Sequence, residues 1–295
     1  MQLVFHLGAH ATDEGRLIRT LAANPEKMAQ AQAHAPAPGA YRTALRDALL
    51  ALKGGPADEE TQENLRTACL RGASGPVERL VFSYENFLAL PDRTIGGSGF
   101  YPSAADKLGP LANLFPEEET EFHLGLINPA VLIAALMARQ NGRDYTEMMA
   151  GQDPLDLRWG PVVARMAEAA ARCDAKLVLW CNEDLPLIFP EVLRAMSGIA
   201  DDVVVEGEMA LVEEIMEPEG VKRLRAYVAQ HPPLSVEQRR KVLIAFLDKF
   251  ARPEALEAEL PLPGWTDELV AEIGAAYDED IEAIAQLPGV TLITP

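Results

Sequence analysis

Cysteine is scarce in this chain, which contains three cysteines, Cys69, Cys173 and Cys181, in 295 residues. They are odd in number and widely spaced, so they argue against a disulfide framework and favour a reducing compartment. No pair has the Cys-x-x-Cys spacing of a zinc site, and we predict no bound metal. We expect all three to be small buried side chains.

Long apolar runs are also missing. No stretch approaches the roughly 18 apolar residues of a transmembrane helix, so we predict no membrane span. The first eight residues include no basic segment and no cleavage site, and their pattern predicts a β-strand rather than a signal peptide. We therefore expect a soluble, cytoplasmic protein.

Three familiar catalytic motifs are absent from the sequence. It has no Gly-x-Ser-x-Gly elbow, no His-Glu-x-x-His and no dinucleotide fingerprint, so hydrolase and dehydrogenase interpretations have no support. The one glycine-dense segment, residues 96–99, lacks a lysine and a clear preceding strand. It predicts a surface loop, with a flexible acceptor-side loop as the alternative.

Positive charge is in short supply. The chain has 26 Lys and Arg against 45 Asp and Glu, which gives a formal net charge of −19 and a pI near 4.7. Such a field repels nucleic acids and anionic membranes, so we predict neither as a partner. From residue 253 onward there are ten Asp or Glu and no Lys or Arg, which predicts a solvated acidic region.

Apolar patterning is plentiful, since 48% of the residues are hydrophobic. Strand patterns alternate with helix patterns, which is the order of a mostly parallel sheet flanked by helices, and we predict the α/β class. We expect one domain over residues 1–295 with a helical, acidic C-terminal region from about residue 207. The predicted strands are residues 2–7, 79–84, 121–127 and 176–181, and the main predicted helices are residues 17–28, 41–52, 58–70, 159–173, 208–230, 235–251 and 267–287.

Five segments follow one another in the order of motifs in a known family. They are residues 4–17, 80–87, 124–129, 180–185 and 276–281. Together they resemble bacterial sulfotransferases that use 3′-phosphoadenosine 5′-phosphosulfate (PAPS). The resemblance implies the sulfotransferase-like version of the P-loop fold. It also implies transfer of a sulfuryl group from PAPS to a hydroxyl or amine.

The chain departs from that family where the donor would bind. The loop lysine is replaced by Ala11, and Asp13-Glu14-Gly15 stands where Gly-Thr-Thr is expected. The arginine and serine of the 3′-phosphate site are replaced by Ile127 and Ala135. A carboxylate about 4 Å from a phosphate charge costs about 4 kcal/mol at a surface-like dielectric, so these changes oppose PAPS binding.

Three interpretations of the first loop stay open: a structural relic, a site for a less anionic ligand held by Gly8, His10 and Thr12, or a PAPS site rescued by arginines such as Arg16 and Arg19. Sequence position nominates these residues for ligand binding: Gly8, Ala9, His10, Ala11, Thr12, Gly15 and Arg16. His10 and Glu85 are the candidate catalytic bases. Each also has a plain alternative, as a loop histidine and a turn or capping residue.

The functional expectation has two branches. In the first, the protein keeps a sulfotransferase-like fold, has degenerate PAPS-binding motifs and acts as a binding or interaction protein without a cofactor. In the alternative, it is an active sulfotransferase that uses PAPS or another donor and a small-molecule or carbohydrate-like acceptor.

Overall fold

The computed structural model describes residues 1–139, 144–231, 235–256 and 262–295. Its centre is a six-stranded sheet in the spatial order β2-β3-β1-β6-β7-β8, and every neighbouring pair is parallel. The strands of this sheet are β1 (Gln2–His6), β2 (Ala33–His34), β3 (Arg79–Ser83), β6 (Glu119–Leu126), β7 (Lys176–Cys181) and β8 (Val290–Ile293), and a separate hairpin consists of β4 (Ile95–Gly96) and β5 (Gly99–Phe100).

Helices connect these strands. The first seven are α1 (Arg16–Ala22), α2 (Pro25–Gln30), α3 (Pro38–Ala51), α4 (Glu59–Cys69), α5 (Ala105–Ala112), α6 (Pro129–Arg139) and α7 (Tyr145–Met149). The remaining seven are α8 (Trp159–Arg172), α9 (Leu185–Ser197), α10 (Ala210–Glu214), α11 (Pro218–Gln230), α12 (Val236–Phe250), α13 (Pro253–Leu256) and α14 (Asp267–Ile284). Within the described parts of the chain, no helix is both long enough and apolar enough to cross a membrane.

The helices cover both faces of the sheet, because successive side chains of each strand point to opposite faces. On one face, Leu3 and Phe5 of β1 pack into a large core with α3, α4, α5, α6, α8 and α14. On the other, Val4 packs into a smaller core with α1, α2 and α9. This arrangement confirms the predicted α/β class with a parallel sheet flanked by helices.

The strand order places the first loop at a switch of direction. From β1 the chain moves outward to β2 and returns through β3 on one side, then crosses to β6, β7 and β8 on the other. Open α/β sheets bind ligands beside the carboxyl ends of strands at such a point. The loops that follow β1, β3, β6 and β7 therefore form the natural candidate site.

Helices α10, α11 and α12 carry a third, smaller core. Val212, Met216, Leu224 and Leu243 are its buried members. The backbone joins the start of α11 to the end of α12, because Glu217 donates its N–H to the carbonyl oxygen of Phe250 at 2.7 Å. The two helices thus form a hairpin that is closed at this end.

Several predicted elements need correction. The helix predicted over residues 17–28 is two helices, because the chain breaks at Asn24 before Pro25. The helix predicted over residues 208–230 is likewise split into α10 and α11, and Pro218 begins the second. The glycine-dense segment is the β4–β5 hairpin rather than a plain loop. Residues 202–205, which fit either a strand or an extended loop, form a turn and loop.

Candidate functional site

The loop after β1 is fastened to β6 by main-chain hydrogen bonds. Its backbone continues the ladder beyond β1, since Ala9 donates to the carbonyl of Gly125 at 3.1 Å and Gly125 donates back to Gly8 at 2.7 Å. Gly8 has φ = 100°, and a Cβ there would lie 3.2 Å from Cα of Glu85. Glycine is therefore needed at this position for both conformation and space. The geometry brings Gly8 and Glu85 together.

The middle of the loop holds two residues in the left-handed region. Ala11 has φ = 59° and Glu14 has φ = 49°. A residue with a side chain loses roughly 1–2 kcal/mol in this conformation, so its surroundings must hold it there. Thr12 contributes, because its buried hydroxyl donates to the carbonyl oxygen of Ala9 at 2.8 Å.

Asp13 occupies the amino end of the helix that follows. Its side chain is buried, and one carboxylate oxygen accepts the N–H of Leu17 at 3.0 Å. Its main-chain carbonyl accepts the N–H of Arg16 at 2.9 Å. The helix begins at Arg16, after a left-handed Gly15, and not directly after Thr12 or Asp13. A negative charge near a helix N-terminus is favourable, and here the protein supplies that charge itself.

His10 is fully buried at the centre of the site. Its Nδ1 lies 2.9 Å from the hydroxyl of Tyr101, and its Nε2 lies 2.9 Å from Oδ1 of Asn86. The amide nitrogen of Asn86 donates to the hydroxyl of Tyr84 at 3.1 Å, so the amide oxygen is the atom that faces His10, and it accepts a hydrogen bond. His10 is therefore assigned as the Nε2–H tautomer, with Nδ1 accepting the Tyr101 proton.

This assignment bears on the candidate role of His10 as a base. Burial lowers the pKa of His10, although the hydrogen bond to Asn86 opposes part of that shift. Burial also raises the pKa of Tyr101, so the phenol keeps its proton. The imidazole is neutral and has both nitrogens engaged, which leaves no free lone pair for a substrate proton. The arrangement favours a positioning role, and catalysis by His10 stays a prediction.

Glu85, the second candidate base, lies in an ion cluster at the surface. A carboxylate oxygen of Glu85 lies 3.1 Å from the guanidinium of Arg139, and Arg139 also lies 3.8 Å from Glu14. Arg16 lies 3.9 Å from Glu14 of this cluster and pairs more closely with Glu214 of α10, at 2.7 Å. Its side chain therefore links the loop to α10.

On the β6 and β7 side of the edge, Glu183 links three elements. Its carboxyl oxygens accept the N–H of Asn128 at 2.7 Å and the hydroxyl of Tyr277 at 3.1 Å. Burial raises the pKa of Glu183, and the bond from Asn128 opposes that rise. The carboxyl group of Glu183 thus binds the segment that enters α6.

Asp280 makes the same kind of contact with α8. The N–H of Trp159, the first residue of α8, donates to Asp280 at 2.7 Å, and Arg158 pairs with the same carboxylate at 3.0 Å. The Trp159 indole donates to the carbonyl of Ile127 at 2.8 Å, which fixes α8 to the end of β6. Ile127 is buried and belongs to the large core.

Behind the loop, buried polar side chains line the face of the sheet under α9. Nδ1 of His6 lies 2.9 Å from the hydroxyl of Ser83, and Nε2 of His6 lies 3.9 Å from Asp13. On β6, Nε2 of His123 lies 3.2 Å from Glu121, which also pairs with Arg79 at 2.6 Å. Polar packing thus continues from the candidate site into the smaller core.

Several side chains of this site were not singled out by the sequence. Tyr101 and Asn86 carry the hydrogen bonds of His10, and Arg139 pairs with Glu85. Asn86 follows Glu85 directly in the sequence, and Tyr101 lies two residues after the glycine-dense segment. Both are therefore close to positions that the sequence analysis had marked. Arg139 carried no signal, since it ends an otherwise apolar helix.

No protein-family model matches the sequence, and no curated protein sequence matches it either.

Proposed function

We propose that this chain has the sulfotransferase-like version of the α/β fold and acts as a binding or interaction protein that does not bind PAPS. The observation that carries the proposal is the position of Asp13. Its buried carboxylate holds the N–H of Leu17, at the end of α1 where an incoming anion would have to bind. The order of the sequence motifs along the chain supports the family likeness.

Electrostatics give the size of the effect. A phosphate about 4 Å from the Asp13 carboxylate would meet a repulsion of about 4 kcal/mol at a surface-like dielectric. That energy corresponds to a loss of roughly three orders of magnitude in affinity. Helix α1 has only seven residues, so its dipole offers little to offset this cost.

The arginines that could rescue anion binding are engaged elsewhere. Arg16 pairs with Glu214, and Arg19 donates to the carbonyl of Glu14 at 2.9 Å. Arg139 pairs with Glu85. These pairs lie near the surface and are individually weak, so they alone would not exclude a phosphate. The buried charge of Asp13 is the deciding feature.

The proposal is tested by calorimetric titration with adenosine 3′,5′-bisphosphate at low salt. We expect no heat of binding and no thermal shift for the natural chain. Asp13→Asn should let binding become measurable, because it removes the charge and keeps an oxygen for the Leu17 N–H. Asp47→Asn is the matched control. It removes an exposed carboxylate on α3, away from the loop, and should not change nucleotide binding.

Micromolar binding by the natural chain would overturn the proposal. It would favour the alternative, an active sulfotransferase in which Glu85 serves as the base toward a hydroxyl or amine acceptor. Glu85 is the group best placed for that role, because its side chain is 43% exposed beside the loop.

A further inference from the structure

A large cavity lies away from the strand edge, between the α11–α12 hairpin and the loop that follows α9. Its volume is about 1010 Å³. This lies at the upper end of the roughly 300–1,000 Å³ that pockets for drug-sized ligands occupy. The wall residues come from α9, from the loop of residues 201–209, and from α10, α11 and α12.

The loop wall of the cavity is held in place by buried polar contacts. Asn24 donates to the carbonyl of Glu206 and accepts the N–H of Glu206, both at 2.9 Å. Arg194 is buried and donates to the carbonyls of Pro190 at 2.9 Å and Val203 at 2.8 Å. These bonds tie the loop to α9 and to the turn before α2, so the wall is fixed without a ligand.

The helical wall is fixed as well. Arg252 donates to the carbonyl of Ile215 at 2.9 Å, which adds a second bond at the closed end of the hairpin. Close packing of Gly220 against Phe250 leaves no room for a side chain between α11 and α12. The pair of Arg239 with Glu191, at 3.2 Å, joins α12 to α9. A cavity with two fixed walls is preformed, and preformed sites lose less affinity to ordering.

The interior of the cavity is apolar. Val205 and Leu243 are buried in its wall, and Val228 and Val242 are half-buried there. Val204 also lines it and is 68% exposed to solvent. Covering solvent-exposed apolar surface with an apolar ligand contributes favourably to the free energy of binding. The interior therefore suits an aliphatic or aromatic body.

Charge selects the head group of such a ligand. Among the wall arginines, Arg225 pairs with Glu213 at 2.6 Å and Arg194 pairs with Glu208 at 3.1 Å. In the described part of the chain, no lysine or arginine pairs with the exposed side chains of Asp202 and Glu206, which line the same cavity. The local charge is therefore negative, in agreement with the net charge of −19.

We propose that this cavity binds an amphiphilic organic cation, with its apolar body among the valines and its amine head beside Asp202 and Glu206. An anionic amphiphile fits less well, because the wall arginines already have carboxylate partners. This site is separate from the loop after β1, so the proposal does not depend on whether that loop binds PAPS.

The test uses calorimetry with decylammonium and decanoate, which share a chain length and differ in charge, below their aggregation concentrations. We expect decylammonium to bind at least about tenfold more tightly, since two uncompensated carboxylates attract one head group and repel the other. The double variant Asp202→Asn/Glu206→Gln should abolish that preference. Asp248→Asn, an exposed change on α12 outside the cavity, should preserve it.

A cavity-filling variant checks the location. Val228→Trp should abolish binding of decylammonium, whereas Tyr227→Trp, its neighbour outside the cavity wall, should retain it. Equal affinity for decanoate would overturn the proposal. Unchanged binding of decylammonium by a folded Val228→Trp variant would overturn it too. If Val228→Trp does not fold, the Asp202→Asn/Glu206→Gln variant provides the test, because it should lose the preference for decylammonium.

Discussion

Lowering the pH from about 7.5 to about 5.5 is expected to destabilise the folded protein through His6 and His123. Both imidazoles are buried on the face of the sheet under α9. Burial lowers the pKa of His6, against the opposing charge of Asp13. Burial also lowers the pKa of His123, against its hydrogen bond to Glu121.

The sign follows from which state binds more protons. Below the ordinary histidine pKa of 6.5, the unfolded chain takes up protons that the folded chain does not. Stability is therefore complete above that value and falls as the pH drops through it. Each imidazole that stays neutral in the folded state costs about 1.4 kcal/mol over this interval, and His6 and His123 together up to about 3 kcal/mol. Burial also lowers the pKa of His10 and of His34, so both add to the loss with the same sign.

Glu121 does not offset this loss. Burial disfavours its charge, but the hydrogen bond from His123 and the charge of Arg79 outweigh burial and hold the Glu121 pKa at about 2. A depressed carboxyl pKa contributes stability that is lost only as the pH falls below its ordinary value of 4.5. Within the chosen interval Glu121 therefore leaves the histidine effect unchanged, whereas the raised pKa of Glu183 opposes it, because a buried carboxyl group binds protons more readily in the folded state.

The assay is urea unfolding followed by circular dichroism at the two pH values. His123→Gln keeps a donor for Glu121 and should reduce the pH-dependent loss by up to about 1.4 kcal/mol, the contribution of one imidazole. His231→Gln, at an exposed histidine after α11, should leave the loss unchanged. An unfolding free energy that is the same at both pH values would refute the assignment of these imidazoles as neutral.

Two further predictions concern stability. Asp280→Ala should lower the free energy of unfolding by about 2–3 kcal/mol, because it leaves a buried N–H of α8 without an acceptor. Glu279→Ala, at the exposed neighbouring residue, should change it by no more than about 0.5 kcal/mol. Urea titrations of both variants measure the two changes. Gly220→Ala should cost about 1–3 kcal/mol, because its Cβ would lie 2.4 Å from that of Phe250. The control is Gly39→Ala at the start of α3, where an added Cβ would have no atom within 4 Å, so it should be neutral or slightly stabilising. Thermal melts of the two glycine variants measure both effects.

Sequence patterns predicted the long, strongly apolar elements well. Strand β7 has the predicted bounds, and β3 and β6 lie within one or two residues of theirs. Such runs have a clear hydrophobic pattern, and burial on both faces of a parallel sheet reinforces it. Strand β2 and the β4–β5 hairpin have only two residues per strand, which is too short for a periodic signal.

The candidate site was predictable in position but not in its partners. Loops at the ends of parallel strands meet at one edge, so the closeness of Gly8 and Glu85 follows from the motifs and the class of fold. The Asp280–Arg158 pair joins residues 122 positions apart. No local pattern could have shown that this carboxylate, inside an acidic helix, is buried against a cation.

Three carboxyl groups at this edge share one function in the fold. Asp13, Glu183 and Asp280 each accept a main-chain N–H at or beside the start of a helix: that of Leu17 for α1, of Asn128 for α6 and of Trp159 for α8. The N–H groups in the first turn of a helix have no partner within the helix, and a bound phosphate can accept hydrogen bonds from them. A side chain that fills it stabilises the free protein by about 0.3–1 kcal/mol and competes with any external anion for the same donors.

The proposed function therefore predicts that stability and the lack of anion binding arise from the same contacts. If Asp13 were merely adjacent to a functional phosphate site, the natural chain would already bind the nucleotide, and Asp13→Asn would leave stability unchanged. If Asp13 itself occupies that site, Asp13→Asn should lower the unfolding free energy and raise anion affinity together. The opposite signs of these two changes distinguish a replaced phosphate site from an intact one.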